Sequence, residues 1–561
     1  MPPSALDYQD VCDRFRWEIP EYYNIGTDIC DKWAALDPNK LALIYIDQTG
    51  VPREYSFGQL RESSNQLANL LAAYAINRGD RVGILLPQSP ETALGHIAVH
   101  KLGAVSVPLF TLFGVDALQH RLADAGTRAV ITDAQGAAKL GTLRAHLPAL
   151  QLILSIDGGP GTHDLYQEME QCSQTFEPAR TKADDPAIII YTSGTTGPPK
   201  GALHAHRVLL GHLPGVEMSH DFFPQPGDRI WSPADWAWIG GLLDVLLPAL
   251  HHGIPVVACR FAKFTGEAAF GLVQDLEIKN LFLPPTALRL MRNVPDANQR
   301  WKLNVRTIAS GGESLGSDLL EWGRRVFGVT INEFYGQTEC NLVISSSGAL
   351  MAPRPGAMGR AVPGHCVEVI DEAGKPCAQG QLGSIGVRRP DPVMFLGYWN
   401  DPESTSAKFH GDWLVTGDTG VKEDGGWIRF IGRDDDVITS AGYRIGPGEI
   451  EDCLARHPAV KLACVVGKPD PERTQIIKAY LVLREGYVAS RELALEIAEH
   501  VKKHLAAHEY PREVEFVLSL PMTITGKQLR RELRKRAEEE TRTPPLYNPE
   551  KETGDDGRYV I

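Results

Sequence analysis

The run Tyr191-Thr192-Ser193-Gly194-Thr195-Thr196-Gly197-Pro198-Pro199-Lys200-Gly201 concentrates hydroxyls, glycines and a lysine. Glycine lets a backbone come close to a ligand, and consecutive N–H groups in such a turn form a cradle for an anion. Thr192, Ser193, Thr195 and Thr196 add hydroxyl donors, and Lys200 adds a positive charge. The stretch before it, Ala187 to Tyr191, is continuous, apolar and partly β-branched, so it reads as a buried strand. The spacing predicts a phosphate-binding loop. It is not the Gly-x-x-x-x-Gly-Lys-Ser/Thr loop that opens a helix, because Pro198 and Pro199 precede the lysine and Gly201 follows it. A solvated turn is the ordinary reading of such a composition, but few solvated turns set a lysine behind a buried strand.

The elements around this loop alternate. Arg81 to Leu86 reads as a strand, Glu91 to Leu102 carries apolar residues at helical spacing, and Gly103 to Pro108 and Ala129 to Thr132 read as further strands. From about Tyr55 to Gly253 this predicts α/β layers with mostly parallel strands. Residues 360–430 change character. Strand candidates at Val367–Ile370 and Gly383–Arg388 are separated by glycine- and proline-bearing turns, as in a small β-rich subdomain. After Arg433 the pattern is α+β: helical at Ile450–Leu454 and Leu493–Ala507, extended at Ala463–Val466 and Ile477–Val482. The expected domains are 1–433, 434–540 and a polar tail 541–561, disordered at its end.

At 561 residues and 61.6 kDa the chain can build several hydrophobic cores. The formal net charge of −13 argues against a general nucleic-acid binder. Nine scattered cysteines without a Cys-x-x-Cys pair fit reduced thiols in the cytoplasm rather than disulfides or a zinc site. The N-terminus lacks the basic and apolar regions of a signal peptide, and no apolar run is long enough to span a membrane.

Further segments carry chemistry in a fixed order. Tyr335-Gly336-Gln337-Thr338-Glu339 offers a hydroxyl and a carboxylate, and phosphoryl charge needs a hard cation held through oxygen. Ser310-Gly311-Gly312-Glu313-Ser314, Thr416-Gly417-Asp418 and Gly432-Arg433 follow the same order along the chain, although the last two are ordinary turn compositions when alone. Pro521-Met-Thr-Ile-Thr-Gly-Lys527 precedes a basic stretch that would by itself read as a solvated helix face.

Together these segments closely resemble the adenylate-forming superfamily, which contains acyl-CoA synthetases, luciferases and peptide-synthetase adenylation domains. The resemblance runs from the first helical segment to Lys527. It implies a luciferase-like α/β fold: a large N-terminal domain of two layered α/β subdomains and a small β-rich one, followed by a small mobile α+β domain. It implies ATP, Mg²⁺ and coenzyme A as substrates and cofactors. It assigns ATP contacts to Thr192, Ser193, Gly194, Thr195, Thr196, Gly197 and Lys200. Further ATP contacts fall to Gly312, Glu313 and Ser314, to Glu333, Phe334 and Tyr335 through Thr338, and to Asp418, Arg433 and Arg444. Thr338 would meet the α-phosphate, Glu339 would hold Mg²⁺ and Asp418 would accept the ribose hydroxyls. Lys527 would be the catalytic lysine and Asp435 the hinge. The segment around Lys527 also resembles one that bacterial protein acetyltransferases modify, with a deacetylase to reverse it.

Ala441-Gly442-Tyr443-Arg444 resembles the motif of the CoA-using members, with Gly442 lining the pantetheine tunnel. The C-terminal part most resembles medium-chain acyl-CoA synthetases, which implies CoA contacts at Ala441, Gly442, Tyr443, Arg473, Lys502, Tyr510, Pro511 and Arg512. Acetate-specific relatives carry a tryptophan where this chain has Gly336. The implied acyl pocket therefore takes a longer, branched or aromatic acid, with Trp236, Trp238, Gly240, Gly311 and Gly336 on its walls. Two departures stand out: the segment before Lys527 lacks the arginine of the Thr-Arg-x-Gly-Lys form, and Phe110–Gly114 differs from the animal medium-chain enzymes. An acetyl- or propionyl-CoA synthetase and a non-catalytic nucleotide-binding regulator are the alternatives. A regulator would be expected to have lost Lys527 or Glu339, and this chain keeps both.

Overall fold

The computed structural model describes the chain apart from residues 1–6, Gln48, 193–197, Ala262, Ser314, Asp435, 441–442, Glu472, 506–509, 523–527 and 543–557. Two compact units emerge, residues 1–367 with 387–414, and residues 368–386 with 415–561. The division precedes the expected boundary at 433, so Asp418 and Arg433 pack with the second unit.

The first unit contains two large sheets among the described residues. In one, the strands run in the order Gly397–Tyr398, Lys200–Ala205, Pro186–Thr192, Val105–Pro108, Arg81–Leu85, Ala129–Thr132, Leu152–Ser155 and His163–Asp164. From Pro186–Thr192 onward the neighbours are parallel, and the two strands at the other edge are antiparallel. Residues Ala187 to Ile190 are almost fully buried, as their continuous apolar run requires. The helix Pro90–Lys101 follows its strand and is buried along its whole length, which fits a helix packed inside an α/β unit.

The second sheet orders Arg360–Ala361, Cys340–Ser345, Ile331–Gln337, Thr307–Gly311, Asn280–Phe282, Ile230–Trp231, Val256–Cys259, Leu41–Ile46 and Pro52–Ser56. Its central six strands are parallel, and hairpins close both edges. The expected β-rich stretch is present as Val367–Ile370, Leu382–Arg388, Trp413–Lys422 and Ile428–Arg433.

The second unit carries the expected α+β pattern. Helices Pro447–Ala455 and Arg491–His504 contribute to a core with strands Val460–Asp470 and Thr474–Leu483. One expectation fails here. The tail does not end in disorder: Arg558–Val560 form a strand antiparallel to Glu513–Phe516. Three residues carry too little periodicity to announce a strand. What decides is the open edge of a neighbour, which the sequence does not display. No described helix is long and apolar enough to cross a membrane.

Candidate active site

The run expected to bind phosphate lies between two antiparallel strands. Thr192 pairs with Lys200 across two antiparallel strands, and residues 193–197, with their expected contacts, lie outside the described residues. A strand-to-strand loop differs in kind from the strand-to-helix loop that the prolines argued against. Lys200 opens the second strand. Its ammonium lies 5.4 Å from the centre of the Tyr398 ring, 3.6 Å from the Asp401 carboxylate and in contact with the Ser404 hydroxyl. Asp401 caps the short helix Pro402–Ala407 by accepting from the Ser404 N–H at 2.9 Å.

Thr338 and Glu339 form the two-residue turn of a second hairpin, because Gln337 pairs with Cys340. Such a turn presents both side chains at the tip of the sheet. Glu339 is 7% exposed. One carboxylate oxygen accepts the Tyr398 hydroxyl, and no other side-chain donor to this carboxylate occurs among the described residues. Burial, followed by the adjacent Glu339 charge, raises the Tyr398 phenol well above its ordinary range, so it remains a donor. Tyr398 thus links Lys200 to Glu339. The sequence reading passed over it. Its signal was the Gly397-Tyr398-Trp399-Asn400 run, whose aromatics stand where the chain crosses beside the lysine strand.

The hairpin is held from beneath. Asn341 donates to Asp244 at 2.6 Å, and Asp244 sits in the π-helical turn Leu242–Leu246. Such turns favour functional sites. Burial raises the Asp244 carboxyl to about 8, so it is protonated at neutral pH. Leu342 takes a left-handed φ of 59°, a strained backbone for a leucine.

Parallel pairing sets Ser310 beside Glu333 and Gly311 beside Phe334. Gly312 has φ 92°, a turn that a side chain would strain. Glu313 is held by Thr286 at 3.0 Å and Arg289 at 2.9 Å, and the Leu315 N–H donates to Glu333 at 3.3 Å. Ser314 is outside the described residues. The two segments expected to flank a nucleotide are therefore neighbours on one sheet.

The expected acyl wall is brought together in part. Trp238 stacks on Phe282 with centroids 6.1 Å apart, and Phe282 meets Phe334 at 5.2 Å. Gly240 and Gly311 lie against these rings: a Cβ would come within 3.0 Å of Phe282 and 2.6 Å of Phe334. Trp236 is a core residue, 1% exposed. Gly336 is closely packed against its own hairpin. A Cβ there would lie 2.4 Å from the Leu342 nitrogen and 2.6 Å from Asn341 Oδ1. The hairpin itself therefore requires a glycine here.

In the second unit, Asp418 and Arg433 face each other across antiparallel strands, Arg433 Nε lying 3.6 Å from the Asp418 carboxylate. Asp418 is 5% exposed, and its N–H donates to Thr416 Oγ1 at 3.2 Å. Among the CoA candidates, Lys502 and Arg512 flank the Tyr510 ring at 5.7 and 4.9 Å. Arg473 sits in the turn between two strands, its N–H donating to Asp470 at 2.8 Å, and shares no described contact with that trio. Asp435, Ala441, Gly442 and Lys527 lie outside the described residues, as do the side chains of Tyr443 and Arg444.

No group of three or more His, Cys, Asp or Glu placed to hold a metal occurs among the described residues. One carboxylate suits Mg²⁺, which draws most of its ligands from phosphate and water, and Glu339 has an oxygen to give.

The AMP-binding enzyme family matches residues 30–399, and the AMP-binding enzyme C-terminal domain matches residues 449–527. The mitochondrial acyl-coenzyme A synthetase ACSM3 of Mus musculus is 33% identical over 551 residues, covering 95% of this chain and 94% of its own. The acetyl-coenzyme A synthetase of Bacillus subtilis is 33% identical over 505 residues, covering 88% and 87%. Among solved structures, the anthranilate CoA ligase AuaEII with anthranoyl-AMP superposes with a TM-score of 0.85 at 28% identity, covering 93% of this chain and 99% of that one.

Proposed function

This chain belongs to the AMP-binding enzyme family, and on that premise we propose that its acid is a medium-chain, branched or aromatic carboxylate. The reaction is that of an AMP-forming acid–thiol ligase: ATP and the acid give acyl-AMP and pyrophosphate, and CoA then gives acyl-CoA and AMP. The observation that carries the assignment of roles is the convergence of Lys200 and Glu339 on Tyr398.

In the first half-reaction the carboxylate oxygen attacks the α-phosphorus and the bond to pyrophosphate breaks. Lys200 holds the departing phosphates, and Thr338 orients the α-phosphate. Mg²⁺, when bound, supplies charge neutralisation to the triphosphate, with Glu339 as its protein ligand. Tyr398 keeps that carboxylate in place. Lys527 stabilises the charge that develops at the reacting centre. In the second half-reaction a turn about Asp435 withdraws Lys527, and the CoA thiolate attacks the acyl carbonyl, expelling AMP. Lys502 and Arg512 bind CoA phosphates.

The acid is argued from the wall. Trp238, Phe282 and Phe334 offer flat apolar faces, which suit a ring or a chain of several methylenes. Gly336 packs against its own hairpin, so the aromatic wall carries this reading. An anthranilate ligase among the similar structures supports the aromatic option. Nine scattered cysteines without a Cys-x-x-Cys pair support a reducing compartment, for which we take the cytoplasm.

The test is pyrophosphate release with a panel from acetate to decanoate plus benzoate and branched acids, with and without CoA. Release without CoA and thioester only with CoA are expected. Preference for acetate would overturn the acid, and silence across the panel would favour a nucleotide-binding regulator. Lys527→Ala should lower pyrophosphate release about 10²–10³-fold while thioester formation from supplied acyl-adenylate persists. An equal fall in both halves would sink the separate roles. Acetylation of Lys527 would act in the same way by removing its charge. Mass spectrometry of protein from cells lacking the deacetylase tests that.

A further inference from the structure

We propose that the strand Arg558–Val560, with Ile561, is a positioning element for the CoA-binding cations; this rests on the CoA reading of Lys502, Tyr510 and Arg512. All of these residues belong to the second unit. Arg512 is clamped through its backbone on both sides. Its N–H donates to the Ile477 carbonyl at 2.9 Å, and its carbonyl accepts the Ile561 N–H at 2.9 Å. The first bond belongs to the sheet interior, and the second exists only because the end of the chain returns to it.

The returning segment is anchored by three different interactions. The backbone ladder sets Val560 opposite Glu513, Tyr559 opposite Val514 and Arg558 opposite Glu515. The Tyr559 ring packs edge-on against Phe516 with centroids 5.5 Å apart. Arg558 lies 3.4 Å from Glu540, which also holds Lys478 at 2.7 Å and Lys468 at 3.2 Å. Lys478 is fully buried and meets Glu513 and Glu515 at 2.8 Å each, on the strand that Arg558–Val560 covers. A solvated tail would have no reason to join a buried ion cluster, because its groups lose water on doing so.

The strand ends beside the cations. Arg512 has no carboxylate partner among the described residues, and Lys502 has only Glu499 at 3.4 Å, with both side chains exposed. Two such cations at the ring of Tyr510 form a receptor for phosphate whose geometry depends on where the Arg512 backbone sits. Without residues 558–561, the strand Glu513–Phe516 becomes a sheet edge and Arg512 lies at its frayed start; without the Ile561 N–H alone, Arg512 loses one of its two backbone clamps. The guanidinium then loses its fixed place at the Tyr510 ring.

Two variants of the full enzyme test this. One lacks residues 558–561. The other, Ile561→Pro, keeps the chain and removes the single N–H that reaches Arg512. Each is assayed for pyrophosphate release from ATP and acid, and for thioester formation from supplied acyl-adenylate as CoA is varied. The expected result is a KM for CoA raised about tenfold in both, the size of one weakened charge-assisted contact, with the KM values for ATP and acid unchanged. An unchanged KM for CoA in both overturns the proposal. So does a parallel loss of both half-reactions, which would make the strand an element of stability alone. A parent enzyme that releases pyrophosphate but forms no thioester overturns the CoA reading itself, and this inference with it.

Discussion

At the Thr338–Glu339 hairpin, Gly336 owes its identity to backbone geometry, and Asp244 beneath it owes its charge state to burial. Asp244 is protonated because burial raises it to about 8, and it meets Asn341 as a neutral partner. Asp244→Asn therefore replaces one neutral acceptor with another and should change stability by less than about 1 kcal/mol. Asn341→Asp removes the donor and sets two carboxyls together, and should cost about 2–4 kcal/mol by urea denaturation. Equal costs would mean that Asp244 is ionised. At Gly336 the argument is steric. Gly336→Ala places a Cβ 2.4 Å from the Leu342 nitrogen, next to a leucine already at positive φ. Overpacking of this kind costs about 1–3 kcal/mol, and pyrophosphate release should fall with it, whatever the acid. A variant of full stability whose preference merely moved toward acetate would restore the pocket role. The sequence could not show this, because the direction of an absent Cβ is set by the turn two residues on.

At the scale of elements, the site joins two strand edges that are far apart in the chain. The loop before Lys200 was legible because its residue types are rare together. Tyr398 was not, because its meaning depends on register: Tyr398 pairs with Ala202, and that places its ring under Lys200 and its hydroxyl on Glu339. A single aromatic in a Gly-Tyr-Trp run carries no such information alone. Tyr398→Phe keeps the ring and removes the donor. A hydrogen bond to a charged acceptor is worth about 1.5–3 kcal/mol, so pyrophosphate release should fall roughly 10- to 100-fold. Thioester formation from supplied acyl-adenylate should change little. A comparable fall in both would mean that the hydroxyl serves the fold and not the adenylation step.

Over the whole molecule, the layered α/β pattern was readable from periodicity because buried parallel strands are continuous apolar runs. The buried polar interior was not readable, since a histidine in sequence carries no mark of its depth. The first unit encloses His96, His100, His204, His206, His212 and His220, each at most 1% exposed. Burial pushes His96, His204 and His220 down to about 3 and His206 and His212 to about 4. Burial, joined by His206 and His96, holds His100 well below its ordinary value. Both ring nitrogens of His96 and His100 lack hydrogen-bond partners among the described residues, so no described neighbour would accept an added proton. These groups are neutral when folded and titrate near 6.5 when unfolded. Below pH 6.5 the unfolded chain therefore binds more protons, and stability present above that pH is lost as the pH falls toward the folded values. Asp235 and Asp244 act in the opposite sense, since burial raises them to about 6 and about 8 and the folded chain holds their protons. Six imidazoles outnumber two carboxyls, so the net slope follows the histidines. Urea midpoints between pH 7.5 and 5.5 should drop on acidification, with a slope below pH 6.5 of at least about 1.4 kcal/mol per pH unit, that of one proton. His96→Leu should reduce that slope by about one proton, because its ring has no bond to lose. A midpoint that stays level or rises toward pH 5.5 would mean that the buried imidazoles are hydrated or paired, and the neutral interior assigned to them would be wrong.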